Sequence, residues 1–331
     1  MMYETATNII NEAHKIIVIQ GENPDGDSIG SSVALEEILS DQGKEVVMYC
    51  QIDVPKYLRY IKGWDRIVTD FDTSADMAII VDTAAETLLS KALGSSGVRH
   101  FLETHPVLVI DHHTTQSDLT FEHTILSQDV VATSEVIYGL AESNDWSINQ
   151  SAAEAMMIAV MSDTLGLTTQ AVGAGTFELC SKLASLGANA SHIEERRREY
   201  MKKPQDILSY KGELIGRIEY LLNGRLAVVH IPWEDIQQYS DRYNPSILVL
   251  DEMRLVEGVE IAVAIKTYPD GKLTGKLRAN TPIAETVAGY FGGGGHEYSA
   301  GFRVYEDYDK IINELIEATD KALNEHDSKA S

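Results

Sequence analysis

The run Val107-Leu108-Val109-Ile110 passes directly into Asp111-His112-His113. Four aliphatic residues, mostly β-branched and too few for a helix, describe a strand buried on both faces. An acid and two imidazoles at its end lie where open α/β sheets carry their ligand sites. The same form recurs twice. Ile16-Ile17-Val18-Ile19 leads into Asn23-Pro24-Asp25-Gly26-Asp27, and Met77-Ala78-Ile79-Ile80-Val81 leads into Asp82. Three strands that each release a carboxylate predict chemistry gathered on one edge of a sheet. A fourth carboxylate, Asp163, closes the run Val160-Met161-Ser162.

Between these runs the pattern is helical. After Asp27, the apolar positions Ile29, Val33, Leu35, Ile38 and Leu39 share a helix face, and Gly43 closes the segment. Strand-like Glu45-Val46-Val47-Met48-Tyr49 follows. Strands alternating with helices predict βαβ units and a parallel sheet. From about Ala132 to Tyr220 the pattern is almost wholly helical, with breaks at Asn144, Leu165-Gly166, Gly187 and Pro204. A second unit starts at Leu226-Ala227-Val228-Val229-His230. Its strand-like stretches 259–267 and 272–279 are joined by the turn Pro269-Asp270-Gly271. Pro282 is placed to open a helix at its first turn, and the run Gly292-Gly293-Gly294-Gly295 to end it. A terminal amphipathic helix is expected from about Tyr308, with the last few residues disordered. The expected class is α/β: an N-terminal parallel-sheet domain over 1–188, a helical linker over 189–210, and a smaller α/β C-terminal domain over 211–325.

With 51 acidic against 27 basic residues, the 331-residue chain carries a net charge of −24. Long nucleic acids are gripped by cations that neutralise phosphates, so this balance excludes a long duplex and favours a short anionic substrate. The basic cluster Arg196-Arg197-Arg198 with Lys202-Lys203 is interleaved with Glu194, Glu195 and Glu199, which reads as the solvated face of the linker helix. No apolar stretch reaches the roughly 18 residues of a membrane span, and residues Met1 to Thr7 lack a secretory pattern. Cys50 and Cys180 show no ligand or pairing spacing, so buried thiols in a reducing cytoplasm are expected.

Asp25 and Asp27 flank a glycine in a turn stiffened by Pro24, so both carboxylates can face one cavity. The plainer alternative is an Asp-rich turn with Asp27 as the N-cap of the next helix and Asp82 capping another. Adjacent histidines at Asp111-His112-His113 favour metal chemistry, because imidazole is the common nitrogen donor. Asp25, Asp27, Asp82 and Asp163 in one cleft would repel one another strongly. Two divalent cations balance them, and a pair about 3.5–4 Å apart is the usual clamp for attack on phosphorus. Asp82 suits the bridging position. Oxygen donors with one or two imidazoles and no thiolate favour Mn²⁺ ahead of Mg²⁺. In the C-terminal part, Gly293, Gly294 and Gly295 could form an anion nest beside His296. Arg278 could fork onto a terminal phosphate.

Asn23 to Ser31 (Asn-Pro-Asp-Gly-Asp-Ser-Ile-Gly-Ser), Asp82, Asp111-His112-His113 and Ser162-Asp163-Thr164 resemble the four motifs of the DHH phosphoesterases. Lys276-Leu277-Arg278 with Gly292 to His296 resembles the DHH-associated C-terminal domain, and the likeness covers roughly residues 10–320. The nearest subgroup is the nano-RNase type, bifunctional oligoribonucleases and 3′-phosphoadenosine-5′-phosphate (PAP) phosphatases. The resemblance implies one metal held by Asp25 and Asp82, and a second by Asp27, Asp82, His112 and Asp163. It implies catalytic roles for Asp82 and His113, with His113 at the scissile phosphate. Arg278, Gly293, Gly294, Gly295 and His296 would hold the rest of the nucleotide across an interdomain cleft. Thr133-Ser134-Glu135 matches loosely, without a role. One departure stands out: the family's first motif opens with a ligating histidine where this chain has Gly21. Gln20, Glu22 or Asn23 could supply an oxygen instead. The implied activity is metal-dependent hydrolysis of short RNA or linear dinucleotides to mononucleotides, with PAP phosphatase activity beside it. The partners expected are that substrate and a second copy of the chain, with no membrane. The rival readings are a cyclic-dinucleotide phosphodiesterase and, because of Gly21, a non-catalytic nucleotide-binding protein.

Overall fold

A computed structural model describes residues 3–113, 116–240 and 242–330, with the side chains of His296 and Ala330 outside the described set. The chain divides into two compact units, Met1–Lys202 and Lys203–Ser331.

The first unit is built on β1 (Lys15–Gln20), β2 (Glu45–Tyr49), β3 (Met77–Val81), β4 (Val107–Asp111) and β5 (Thr124–Ser127). They lie in the order β2-β1-β3-β4-β5, every neighbouring pair parallel. The aliphatic runs become strands because helices cover both sheet faces. Ile16, Val18, Ile79 and Val81 pack with α1 (Glu4–Glu12), α2 (Gly26–Asp41), α5 (Thr133–Ser143) and α6 (Gln150–Asp163). On the other face Ile17, Ile19, Ala78 and Ile80 pack against α3 (Ser90–Leu93) and α4 (Ser96–Thr104). Helices α7 (Ala174–Ser185) and α8 (Ala190–Tyr200) complete the unit. Helix α2 is buried without a break from Gly26 to Leu35. A Cβ on Gly30 would stand 2.6 Å from the Ala155 carbonyl, so α2 and α6 cross at a separation only glycine permits.

The second unit holds β6 (Glu219–Leu221), β7 (Leu226–Ile231), β8 (Ile261–Thr267), β9 (Leu273–Ala279), β10 (Gly294–His296) and β11 (Ser299–Val304). The order is β10-β11-β9-β8-β7-β6, with β7 and β8 parallel and the other pairs antiparallel. Helices α9 (Gln205–Gly216), α10 (Trp233–Tyr239) and α11 (Pro245–Arg254) cover one face. Helices α12 (Ala284–Tyr290) and α13 (Tyr308–Ala330) cover the other. The β8–β9 turn forms as expected, with Gly271 at φ +76°.

Several local expectations change. Strand β5 has no counterpart in the sequence reading, because only Leu126 of its residues is buried and no apolar run announces it. Pro282 lies ahead of α12 rather than inside its first turn, since the helix begins at Ala284 after the cap Ile283. The terminal residues expected to be disordered continue α13 to Ala330. Arg196 is no solvated cation: it reaches Glu154, a buried residue of α6, at 2.6 Å. Cys50 is buried and Cys180 partly so, and both are free thiols.

Candidate metal centre

Because β1, β3 and β4 are adjacent and parallel, their C-terminal ends emerge on one edge of the sheet. Asp25 and Asp27 follow β1, Asp82 follows β3, and β4 ends at Asp111. Asp25, not Asp27, caps α2: its Oδ1 accepts from the Ser28 amide at 3.0 Å, and the Ser28 hydroxyl accepts from the Asp25 amide at 2.9 Å. Released from capping, Asp27 sits fully buried in the first turn. It accepts from the Ser31 hydroxyl at 2.9 Å and from the Thr133 amide at 2.7 Å. The Thr133 hydroxyl donates to Asp82 at 2.9 Å. One residue at the start of α5 thus fixes two of the carboxylates, a role the sequence left unassigned. Asp82 itself adopts φ +62°, a left-handed conformation that turns the chain sharply out of the strand while its amide still bonds the Ile110 carbonyl at 2.9 Å. Asp163 arrives on the last residue of α6. A Cβ at Gly26 would collide with Ser162, so the glycine is what lets the end of α6 approach the start of α2.

His112 completes the cluster. Its Nδ1 lies 3.0 Å from the Val130 carbonyl and must donate to it, which leaves Nε2 as the nitrogen that faces the carboxylates. That Nε2 is 3.3 Å from Asp163 Oδ2, 3.5 Å from Asp82 Oδ1 and 3.8 Å from Asp27 Oδ2. It is buried and has no hydrogen-bond partner. His113, half exposed, is held through Nδ1 by Asp111 at 2.7 Å, which leaves its Nε2 available. Two sets of ligand atoms lie mutually within 4.8 Å: Asp27, His112 and Asp163, and Asp82, His112 and His113. Asp25 falls outside both, although its charge is felt at Asp82.

The electrostatics follow from burial of like charges. Burial and then the Asp163 charge push Asp27 up to about 7. Burial, Asp27 and Asp25 push Asp82 up to about 10. Burial raises Asp25 too, with Asp163 adding to it; solvent reaches this residue, but in a concave wall. Burial opposes charge on His112, yet Asp163 and Asp27 outweigh it and hold the imidazole up at about 9. A cluster that retains protons this strongly is one that lacks positive charge. Carboxylate oxygens converging on an imidazole nitrogen, with no thiolate, are a donor set that fits divalent cations once the protons are displaced. The residues present therefore fit the metals that the sequence implies.

At the departure from the motif, a Cβ on Gly21 would find its nearest neighbours at 3.6–3.8 Å, so no steric or backbone demand keeps glycine there. Glu22 is committed elsewhere, accepting from the Ser90 hydroxyl and the Lys91 amide. Gln20 is 2% exposed and neither atom of its amide has a partner.

In the second unit, Arg278 donates to the Leu277 carbonyl at 3.0 Å and to the Ser299 hydroxyl. The glycine run is not a free loop, because Gly294 to His296 form β10 against β11. A Cβ on Gly293 would collide with the Gly301 carbonyl, and one on Gly295 would come within 2.5 Å of the Ser299 carbonyl. Close packing demands those two glycines; Gly292 and Gly294 face open space. His296 pairs with Ser299 through the backbone, and its side chain lies outside the described residues.

Residues 15–160 match the family described as DHH family, N-terminal domain. The chain is 23% identical over 302 residues to the bifunctional oligoribonuclease and PAP phosphatase NrnA of Thermus thermophilus, covering 91% of this chain and 88% of that protein. It is 21% identical over 340 residues to the cyclic-di-AMP phosphodiesterase GdpP of Bacillus subtilis, covering 96% of this chain but 49% of GdpP. The crystal structure of an exopolyphosphatase-related protein from Bacteroides fragilis shares the fold, with a TM-score of 0.84 at 21% identity over 97% of this chain and 96% of that one. With its motifs converged at one sheet edge and relatives aligned along nearly all of its length, the chain carries the N-terminal domain of the DHH family over residues 15–160.

Proposed function

We propose that this chain is a metal-dependent phosphodiesterase that hydrolyses short oligonucleotides or linear dinucleotides to mononucleotides and also removes the 3′-phosphate of PAP. The observation that carries the reading is His112 Nε2: a buried imidazole nitrogen with oxygens of three different carboxylates within 3.8 Å. Similarity to NrnA along both chains favours linear substrates; the similarity to GdpP spans only half of that protein. Asp25 and Asp82 would hold one cation, and Asp27, Asp82, His112 and Asp163 the other, with Mn²⁺ preferred to Mg²⁺. When bound, such a pair supplies a polarised phosphoryl oxygen and a water acidic enough to react near neutral pH.

The chain's own residues do the positioning. Thr133 and Ser31 fix the orientation of Asp27 and Asp82 before any ligand arrives. The Val130 carbonyl selects the His112 tautomer. Asp111 orients His113, whose remaining nitrogen can bond a phosphate oxygen and carry a proton to the leaving oxygen. In the second unit Arg278, Gly294 and His296 are read as the anion-holding residues, with Gly293 and Gly295 shaping the strand beside them. No described helix is long and apolar enough to cross a membrane. A cytoplasmic location is supported by the two free cysteines, and we read the working form as a homodimer.

The test is nucleotide release in Mn²⁺ from a panel of pApA, pGpG, RNAs of three to five nucleotides, cyclic dinucleotides and PAP. Turnover of the linear substrates and its loss in Asp82→Asn and His112→Ala are expected. Full activity in those variants, or activity on cyclic substrates alone, overturns the reading.

A further inference from the structure

Beside the carboxylate cluster, within the first unit, lies a cavity of about 450 Å³. That volume falls in the roughly 300–1,000 Å³ range of small-ligand sites. Its wall begins with Asp25 and Gly26 at the start of α2 and with Met161 and Ser162 at the end of α6. These two helix ends also carry Asp27 and Asp163, so the cavity opens where the cluster stops.

Two residues at its mouth leave apolar surface in solvent. Tyr57 is 50% exposed and Leu165 is 73% exposed, although both are large and apolar. Leu165, at φ +51°, is a left-handed residue of the turn that ends α6, where Gly166 donates to the Met161 carbonyl at 2.8 Å, so its position at the mouth is fixed by the backbone. Exposed apolar side chains lining a cavity beside a buried polar cluster mark a place where something binds. The cavity's charges say what. Its one cationic side chain, Arg197, is already spent on Glu194 through two bonds of 2.6 and 3.0 Å. A second phosphate would find no free positive partner there. A flat, uncharged ring system would find an aromatic face and aliphatic walls.

We propose that this cavity receives the nucleoside attached through O5′ to the scissile phosphate, with its base packed on Tyr57 and covered by Leu165. The inference rests on the phosphodiesterase reading above and extends it to which bond of the substrate is cut. In a linear dinucleotide, water adds to phosphorus, the bond to O3′ breaks, and the departing O3′ takes a proton, so two 5′-mononucleotides result. The nucleoside that keeps the phosphate ends in a free 3′-hydroxyl and has no other charge, which suits a cavity without a free cation. In a longer RNA the same holds only at the 3′-terminal bond; at every other bond that nucleoside carries a further phosphate, for which the wall has no partner. Cleavage at the 3′-terminal bond is therefore preferred over cleavage at any other. PAP has no nucleoside on that side of its 3′-phosphate and cannot use the cavity.

The test compares Tyr57→Ala and Leu165→Asn with the unaltered chain on pApA and PAP in Mn²⁺. Stacking on one aromatic ring contributes enough that its loss should cut the ratio of kcat/KM for pApA to that for PAP about tenfold, through KM. In parallel, a dinucleotide with 2-aminopurine at its 3′ position should be quenched on binding to the unaltered chain and not to Tyr57→Ala. An unchanged ratio with equal quenching in both proteins overturns the cavity assignment while leaving the phosphodiesterase reading intact. Failure of the unaltered chain to turn over either substrate refutes that underlying reading instead.

Discussion

Removing divalent cations should make the stability of this protein fall as pH rises, opposite to the usual behaviour of acidic clusters held by salt bridges. Asp27 is the cleanest case, with its carboxyl raised to about 7 by burial and the Asp163 charge. A carboxyl whose folded pKa exceeds its unfolded value binds its proton more tightly when folded. The resulting stabilisation is complete below about pH 4 and is lost as pH climbs through the folded value. A rise of about three units at about 1.4 kcal/mol each amounts to about 4 kcal/mol from Asp27 alone. His112, held at about 9, acts in the same direction: its contribution is complete below about pH 6.5 and is lost as pH rises through 9. For a unit of this size, 4 kcal/mol corresponds to about 10 °C in Tm. Thermal melts in chelator between pH 4 and 7 should therefore show Tm dropping by about that amount. Saturating Mn²⁺ should flatten the profile by supplying the positive charge that the protons provided, and Asp27→Asn should reduce the slope in chelator. A Tm that holds or rises with pH in chelator, or an Mn²⁺ profile parallel to it, would refute the electrostatic account.

Thr133→Val keeps the backbone amide bond to Asp27 but removes the hydroxyl that orients Asp82; about a tenfold loss of kcat with an unchanged melt is expected, and unaltered kcat would remove Thr133 from the machinery. Gly26→Ala drives a methyl group into Ser162 and should cost about 1–3 kcal/mol in a denaturant melt; a neutral result would show that α2 and α6 can separate freely. Gly21→His adds an imidazole where the nearest atoms leave room for a side chain, so calorimetric titration should show tighter Mn²⁺ binding. Identical isotherms would mean that this position does not face the metals.

Much of the cluster could be read in the chain because parallel strands buried on both faces are long aliphatic runs, and such runs end abruptly where the ionisable residues begin. Asp27, Asp82, His112 and Asp163 were found that way. What could not be read depends on three-dimensional closeness that leaves no periodic trace. The hydroxyl of Thr133 resembles any other threonine until α5 delivers it to Asp82. Gly26 and Gly30 look like ordinary helix residues until α6 presses against them. The glycine run suggested a loop for anions, whereas two of its members are small because β11 lies against them. Strand β5 was silent since one buried leucine makes no pattern. The surplus of glutamates around Arg196 disguised a cation that reaches inward to Glu154.

The unusual backbone of Asp82 determines how that residue can be probed. Alanine at φ +62° introduces a torsional penalty of its own, so a damaged Asp82→Ala enzyme could not distinguish a missing carboxylate from a displaced polypeptide. Asparagine accepts left-handed geometry and nearly matches aspartate in shape. It deletes the ionic charge and little else, which makes the amide the informative replacement at this corner of the sheet.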